Sequence, residues 1–88
     1  MDEIEKWKNV GFSWCLIVEQ VELKNGTYEK NIKCVSNDFS KIEQKLKEIK
    51  ECKLEKGYKI TYDDGNSVEC LLDGVVEYYS IVAVKYLD

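Results

Sequence analysis

The sequence predicts a small α+β domain: a five-stranded, mainly antiparallel sheet (ββαβββ, strand order 2-1-5-4-3) with one helix on one face. Three stretches carry this prediction. Residues 12–35 alternate large apolar groups with smaller or polar ones around a central turn, as a β-hairpin does. Residues 38–54 repeat apolar groups at helical spacing, and residues 57–87 alternate again around two turns, as a three-stranded meander does. At 88 residues the chain is expected to form a single domain, 1–88.

The segment ahead of the hairpin carries Ile4, Trp7 and Val10 at helical spacing. We therefore expect residues 1–11 to form an N-terminal arm or a short helix, with Trp7 covering part of the protein's own core. The start of the chain is acidic and contains no long apolar run. This predicts neither a secretory signal nor a membrane span, and so a cytoplasmic protein.

The first strand of the hairpin contains a break in its alternation. Large apolar residues occupy every second position as far as Val18, and then two polar residues, Glu19 and Gln20, follow in succession. One extra residue in a strand indicates a β-bulge. We therefore expect Glu19 and Gln20 together to oppose Asn31, and Val18 to face Ile32.

The turn of this hairpin is marked by Asn25-Gly26. Asn-Gly is the strongest short hairpin signal because a type I′ turn needs positive φ at both central positions. A two-residue loop, combined with the bulge, pairs Leu16 with Cys34 and places most apolar residues on one side of the sheet.

The helix is predicted from an apolar stripe that recurs every three or four residues. Asp38 and its two polar predecessors supply capping groups, while Ser40 and Glu43 have capping-box spacing for a later start. Gly57 is expected to end this unit as a cap or turn. The stripe consists of Phe39, Ile42, Leu46 and Ile49.

The first turn of the meander is predicted at Asp63-Asp64-Gly65-Asn66. A three-residue loop over 64–66 keeps apolar residues on a common face, because it places Ile60 opposite Cys70 and Tyr62 opposite Val68. A second tight turn follows at Asp73-Gly74.

The last strand, from Val75 to Leu87, carries bulky groups on both faces. This is typical of a central strand, or of a strand whose second face is covered by another chain, so a homo-oligomer is one expectation. Lys30, Lys33 and Lys59 suit edge strands, where charges discourage unwanted pairing.

Composition excludes several kinds of chemistry. The chain has no His, no Arg and no Pro, so the commonest general base and the bidentate clamp for phosphate are both missing. A formal net charge of −4 argues against nucleic-acid binding. No nucleophile–base pair or phosphate-binding loop is recognisable, and we predict no cofactor and no catalytic residue.

The four cysteines are spread almost evenly and never form a C-x-x-C pair. A structural zinc site normally shows short paired spacings, so we interpret these residues as small buried hydrophobes. The alternative is a four-thiolate metal site assembled from distant strands. The residues are Cys15, Cys34, Cys52 and Cys70.

The strongest candidate for a binding surface lies between residues 60 and 84, a stretch that contains five carboxylates and no Lys. Tyrosines accompany these carboxylates, and Tyr is enriched at protein interfaces. Acidic groups beside tyrosines predict a surface for a partner protein with a basic surface. The candidate binding residues are Tyr62, Asp63, Asp64, Glu69, Asp73, Glu77, Tyr78 and Tyr79.

Two functions follow from the sequence. The first is a non-catalytic protein-interaction module, a small inhibitor or regulator of the kind that phages and mobile elements encode. The alternative is a small-ligand-binding protein or minor enzyme, with its pocket between helix and sheet or at a subunit interface.

Overall fold

In the computed structural model, which describes residues 13–84, five strands form one sheet and a helix crosses one of its faces. The strands lie in the order β2-β1-β5-β4-β3, and every neighbouring pair is antiparallel. The predicted α+β fold and strand order are confirmed. The predictions for 1–11 and for the end of the last strand, 85–87, lie outside the described residues. The elements are β1 (Ser13–Glu22), β2 (Thr27–Ser36), α1 (Phe39–Glu55), β3 (Lys59–Asp63), β4 (Ser67–Leu72) and β5 (Val75–Val84).

The turn between β1 and β2 is wider than the predicted two-residue turn. Glu22 pairs with Thr27, and the Gly26 N–H donates to the Glu22 carbonyl (2.8 Å). Gly26 has a φ of 70°, but Asn25 does not share the positive φ that a type I′ turn requires. The Asn25 side chain instead accepts hydrogen bonds from the Thr27 N–H (3.1 Å) and hydroxyl (2.7 Å), which hold the wider loop.

The hairpin does contain a bulge, but it lies in β2 at Lys33. Leu16 faces Cys34 as predicted, while the next residue, Ile17, faces Ile32. The extra residue sits on an edge strand, where a bulge also discourages pairing with another chain.

Strand β1 itself is regular, so the predicted bulge at Glu19 and Gln20 is wrong. Val18 faces Asn31 rather than Ile32. The alternation of apolar and polar residues breaks because β1 is a central strand that carries apolar side chains on both faces of the sheet. Gln20 lies on the helix-facing side but is exposed, since this end of the strand extends beyond the cover of α1.

The loop between β3 and β4 spans residues 64–66, as predicted, but the register differs from the predicted one. Asp63 pairs with Val68, and the Asp64 N–H donates to the Ser67 carbonyl (3.1 Å). The Asp64 carboxylate accepts hydrogen bonds from the N–H groups of Asn66 (2.9 Å) and Ser67 (2.7 Å). These two bonds satisfy backbone N–H groups at the end of the loop.

A second bulge, at Thr61, reverses the direction of Tyr62. Ile60 pairs with Cys70 as predicted, but Tyr62 pairs with Glu69 and lies on the opposite face of the sheet from Ile60. The alternation of the sequence does not reveal this bulge, because Tyr62 suits either face. By contrast, the predicted tight turn at 73–74 is present, with positive φ at both residues.

Helix α1 begins one residue later than predicted and is capped by Asp38. The Asp38 carboxylate accepts a hydrogen bond from the Ser40 N–H (2.9 Å), so the alternative capping box at Ser40 is not used. Gly57, with φ of 90°, ends the unit as predicted. The predicted stripe of α1 packs against the sheet.

The core lies between α1 and the helix-facing side of the sheet. Trp14 packs edge-on against Phe39, with ring centroids 4.7 Å apart. Leu16, Ile42 and Cys70 are the largest side chains that are almost fully enclosed. The remaining buried members are Leu46, Val68 and Tyr79.

The cysteines are distributed over both faces of the sheet and the helix. Cys34 packs against the core, whereas Cys15 occupies the opposite face of the sheet, so the two thiols point away from each other. Cys52 lies exposed on α1, and burial raises the pKa of the Cys70 thiol. Within residues 13–84, no three side chains of metal-ligating type are grouped to hold an ion.

Candidate interaction surface

We use the term open face for the side of the sheet that points away from α1. Because side chains alternate along a strand, the register fixes which residues lie there. No described residue of α1 contributes to it. Its members are Ser13, Cys15, Ile17, Glu19 and Val21 of β1; Tyr28, Lys30, Ile32 and Val35 of β2; Lys59 and Tyr62 of β3; Ser67, Glu69 and Leu71 of β4; and Val76, Tyr78, Ser80, Val82 and Val84 of β5.

One polar row crosses the open face from edge to edge, and all five strands contribute to it. Each member stands directly opposite the next across a strand pair. The row runs Lys30, Glu19, Tyr78, Glu69, Tyr62.

The rows that border the polar row are apolar on one side and half apolar on the other. The half-apolar row reads Ile32, Ile17, Ser80 and Ser67, and beyond it lie Val35 and Val82 with Cys15 between them. On the other side the row reads Tyr28, Val21, Val76, Leu71 and Lys59. The open face is therefore an apolar surface divided by a charged and aromatic strip.

Large apolar side chains on this face remain in contact with solvent. Ile32 is 63% exposed, Val35 56% and Tyr62 48%. Tyr28 and Val84 are also exposed. Grouped exposed apolar side chains on a single face mark an interaction site more often than scattered ones do.

Hydrogen bonds hold the two carboxylates of the polar row in place. The Tyr28 hydroxyl donates to Glu19 Oε2 (2.7 Å), and the Thr61 hydroxyl donates to Glu69 Oε1 (2.8 Å). The hydrogen bond to Glu19 raises the pKa of Tyr28. Tyr78, between the carboxylates, has no hydrogen-bond partner for its hydroxyl among residues 13–84.

The structure brings only part of the predicted site together. Tyr62, Glu69 and Tyr78 share the polar row, and Asp64 joins its edge by accepting a hydrogen bond from the Tyr62 hydroxyl (2.8 Å). That hydrogen bond raises the pKa of Tyr62 and lowers the pKa of Asp64. Asp73 lies apart, in the turn between β4 and β5.

The other predicted residues lie on the helix side of the sheet. Asp63 forms an ion pair with Lys50 of α1, and the hydrogen bond from Lys50 lowers the pKa of Asp63. Glu77 and Tyr79 are buried beneath α1. The Tyr79 hydroxyl donates to Glu77 Oε1 at 2.6 Å.

Glu77 is the centre of a buried polar cluster. It accepts hydrogen bonds from the hydroxyl groups of Tyr79 and Tyr58 and pairs with Lys53 at 2.8 Å. Burial alone would raise the pKa of Glu77, but the hydrogen bonds from Lys53 and the two tyrosines outweigh it and lower that pKa. Burial, together with the bond to Glu77, raises the pKa of Tyr79. The cluster is internally satisfied and joins α1 to the sheet.

Sequence reasoning missed the contribution of the first hairpin to the candidate surface. Glu19, Lys30 and Ile32 lie on the open face together with Tyr28. The sequence signal for this contribution was the pair Glu19-Gln20. It indicates a strand with apolar side chains on both faces, rather than a bulge.

An open cleft also lies between the first half of α1 and the loop between β3 and β4. Its volume is about 540 Å³. Charges of both signs border it, since Lys50 and Asp63 line one end and Lys47 and Glu43 line the helix side. The other lining residues are Ser40, Gln44, Leu46, Gly65 and Val68.

Compared with known proteins, the chain matches no family model, no curated protein and no solved structure. No helix within residues 13–84 has the length and apolar character needed to cross a membrane. The fold defines a class: an antiparallel sheet with a single helix on one side and, among the described residues, no helix on the other.

Proposed function

We propose that this protein is a non-catalytic interaction module that binds a partner protein through the open face. It acts by covering the partner's surface, as a small inhibitor or regulator does. The observation that carries the proposal is the group of exposed apolar and aromatic side chains on the side of the sheet that α1 does not cover.

The size of the open face supports this function. With strands about 4.8 Å apart and about 3.3 Å per residue, the face covers roughly 600 Å² once the short β3 and β4 are allowed for. A stable protein interface buries about 600–1,000 Å² on each partner. Ser13 and Cys15, at one end of the face, are buried, so the accessible part of the face lies at the lower limit for one interface.

The proposal is tested by capture from a lysate of the native host with matched variants. Ile32→Lys places a charge on the open face, and Leu54→Lys makes the same change at an exposed apolar residue of α1. We expect the wild type and Leu54→Lys to retain one stoichiometric protein and Ile32→Lys to lose it. Equal retention by all three proteins contradicts the open face as the binding surface.

A second function, small-ligand binding, is favoured by the cleft beside α1. Its volume of about 540 Å³ falls in the range of ligand pockets. A thermal-shift screen against metabolites tests it. A ligand that raises the melting temperature of the wild type, but not of a Gln44→Ala/Lys47→Ala variant, supports this second function. A shift that persists in the double variant places the ligand elsewhere.

A further inference from the structure

We infer that the partner presents a Lys or Arg side chain that binds over Tyr78 between Glu19 and Glu69, with an apolar residue on the side where Val76 and Leu71 lie. This inference rests on the proposed function and specifies its partner. It is carried by the register of the polar row and by the placement of charge on the open face.

The geometry of the row suits a single cation. Glu19 and Glu69 are the immediate cross-strand neighbours of Tyr78. Directly opposite side chains have Cβ atoms about 5 Å apart, so the two carboxylates flank the Tyr78 ring at roughly 10 Å from each other. A cation centred over an aromatic ring is attracted by the ring face. From that position, about 5 Å from each carboxylate, it is attracted electrostatically by both.

The two carboxylates are held in place and retain acceptor capacity. Glu19 uses Oε2 for the Tyr28 hydroxyl, and Glu69 uses Oε1 for the Thr61 hydroxyl. The other oxygen of each accepts no hydrogen bond from residues 13–84. Neither carboxylate is part of an ion pair within the described part of the chain. A partner ammonium or guanidinium therefore meets carboxylates that are fixed in position and not neutralised.

The placement of charge disfavours a second copy of this chain as the occupant. A two-fold axis through Tyr78 and parallel to the strands sets Glu19 against Glu69 of the other copy. A two-fold axis along the polar row places each carboxylate opposite the same carboxylate of the other copy. Like charges placed opposite each other destabilise an interface. Lys30 stands directly opposite Glu19 and offsets part of this repulsion, whereas Glu69 has no lysine directly opposite it.

The residues beside Tyr78 specify what flanks the cation. Two residues away along the strands, a distance of about 7 Å, lie Val76 and Leu71 on one side and Ser80 and Ser67 on the other. An extended partner segment that runs parallel to the strands places alternate residues at the same interval. The expected pattern is therefore a Lys or Arg, any residue and an apolar residue, in either direction along the segment.

The test selects binders from a displayed library of random short peptides against the folded wild-type protein. We expect enrichment of peptides with a Lys or Arg two residues from an apolar residue. A Glu19→Gln/Glu69→Gln double variant keeps the hydrogen-bond acceptors but removes both charges, so we expect affinity for a selected peptide to fall by about tenfold or more. A Glu48→Gln/Glu51→Gln variant removes the same charge from exposed positions of α1 and is expected to bind normally.

The outcomes separate this inference from the proposed function. Selected peptides that lack Lys and Arg, yet lose binding to Ile32→Lys, overturn the inference and leave the open face as the binding surface. If neither Ile32→Lys nor the Glu19→Gln/Glu69→Gln double variant weakens binding of any selected peptide, both this inference and the proposed function are overturned. Tyr78→Leu is an additional check, because it removes the ring and is expected to weaken basic peptides specifically.

Discussion

Glu77 has a structural role in the core instead of the surface role that the sequence predicted. It was predicted to belong to an acidic surface, but its carboxylate lies beneath α1, where Lys53, Tyr58 and Tyr79 surround it. The Lys53 ammonium also lies 4.4 Å from the centre of the Tyr58 ring. A carboxylate in such surroundings is favourable only while every partner remains in place.

Replacing Glu77 with Gln is expected to lower the free energy of unfolding by about 2–3 kcal/mol, because it leaves the largely buried Lys53 without a counter-charge. Urea unfolding of the variant and the wild type measures the difference. Glu69→Gln is the matched control on the open face and is expected to change the free energy by less than about 0.5 kcal/mol. Equal effects from the two variants would contradict the role assigned to the buried pair.

The same residue gives a pH dependence with a defined sign. The pKa of Glu77 is lower in the folded protein than its ordinary value of 4.5, so its contribution to stability is present above that value and is lost as the pH falls below it. Stability measured by urea unfolding from pH 6 downwards should therefore decrease less steeply in Glu77→Gln than in the wild type. Parallel curves for the two proteins would exclude Glu77 as a source of the acid sensitivity.

At the scale of elements, the helix and the tight turn at 73–74 were predictable to within one residue, whereas the turn of the first hairpin and the two bulges were not. The stripe of α1 and the cap at Asp38 are local features, which sequence spacing records directly. Both bulges lie on edge strands, at Lys33 and Thr61, and depend on how each edge fits its neighbour. The extra loop residues in the first hairpin accompany a shift in pairing that alternation alone does not record.

The cap of α1 can be tested independently of the sheet. Asp38→Ala removes the acceptor for the Ser40 N–H, and we expect a loss of about 1 kcal/mol in the free energy of unfolding. Asp38→Asn retains an acceptor and should recover most of that loss. Asn37→Ala, at the neighbouring exposed position, is the control and should change stability little. Thermal or urea unfolding of the three variants provides the measurement.

For the whole molecule, the sequence was sufficient to predict strand order, because the apolar last strand and the lysine-bearing edges restrict where each strand can lie. The candidate surface was predictable only in part. The sequence prediction assigned neighbouring residues of the chain to one surface, whereas the sheet brings together residues from different strands. Glu69 and Tyr78 consequently share a surface with Glu19, which is distant in sequence, and not with Glu77, which is close.

The charge arrangement of the open face predicts the association behaviour of the whole protein. The opposition of Glu19 to Glu69 across a two-fold axis should keep the wild type monomeric at micromolar concentration. Glu69→Lys converts that opposition into two attractive pairs and is expected to shift the protein towards a dimer, an effect that weakens as salt is added. Sedimentation equilibrium over a concentration series measures both states. Glu48→Lys, the same change on α1, is expected to remain monomeric, whereas a salt-insensitive dimer of the wild type would show that a second copy occupies the open face.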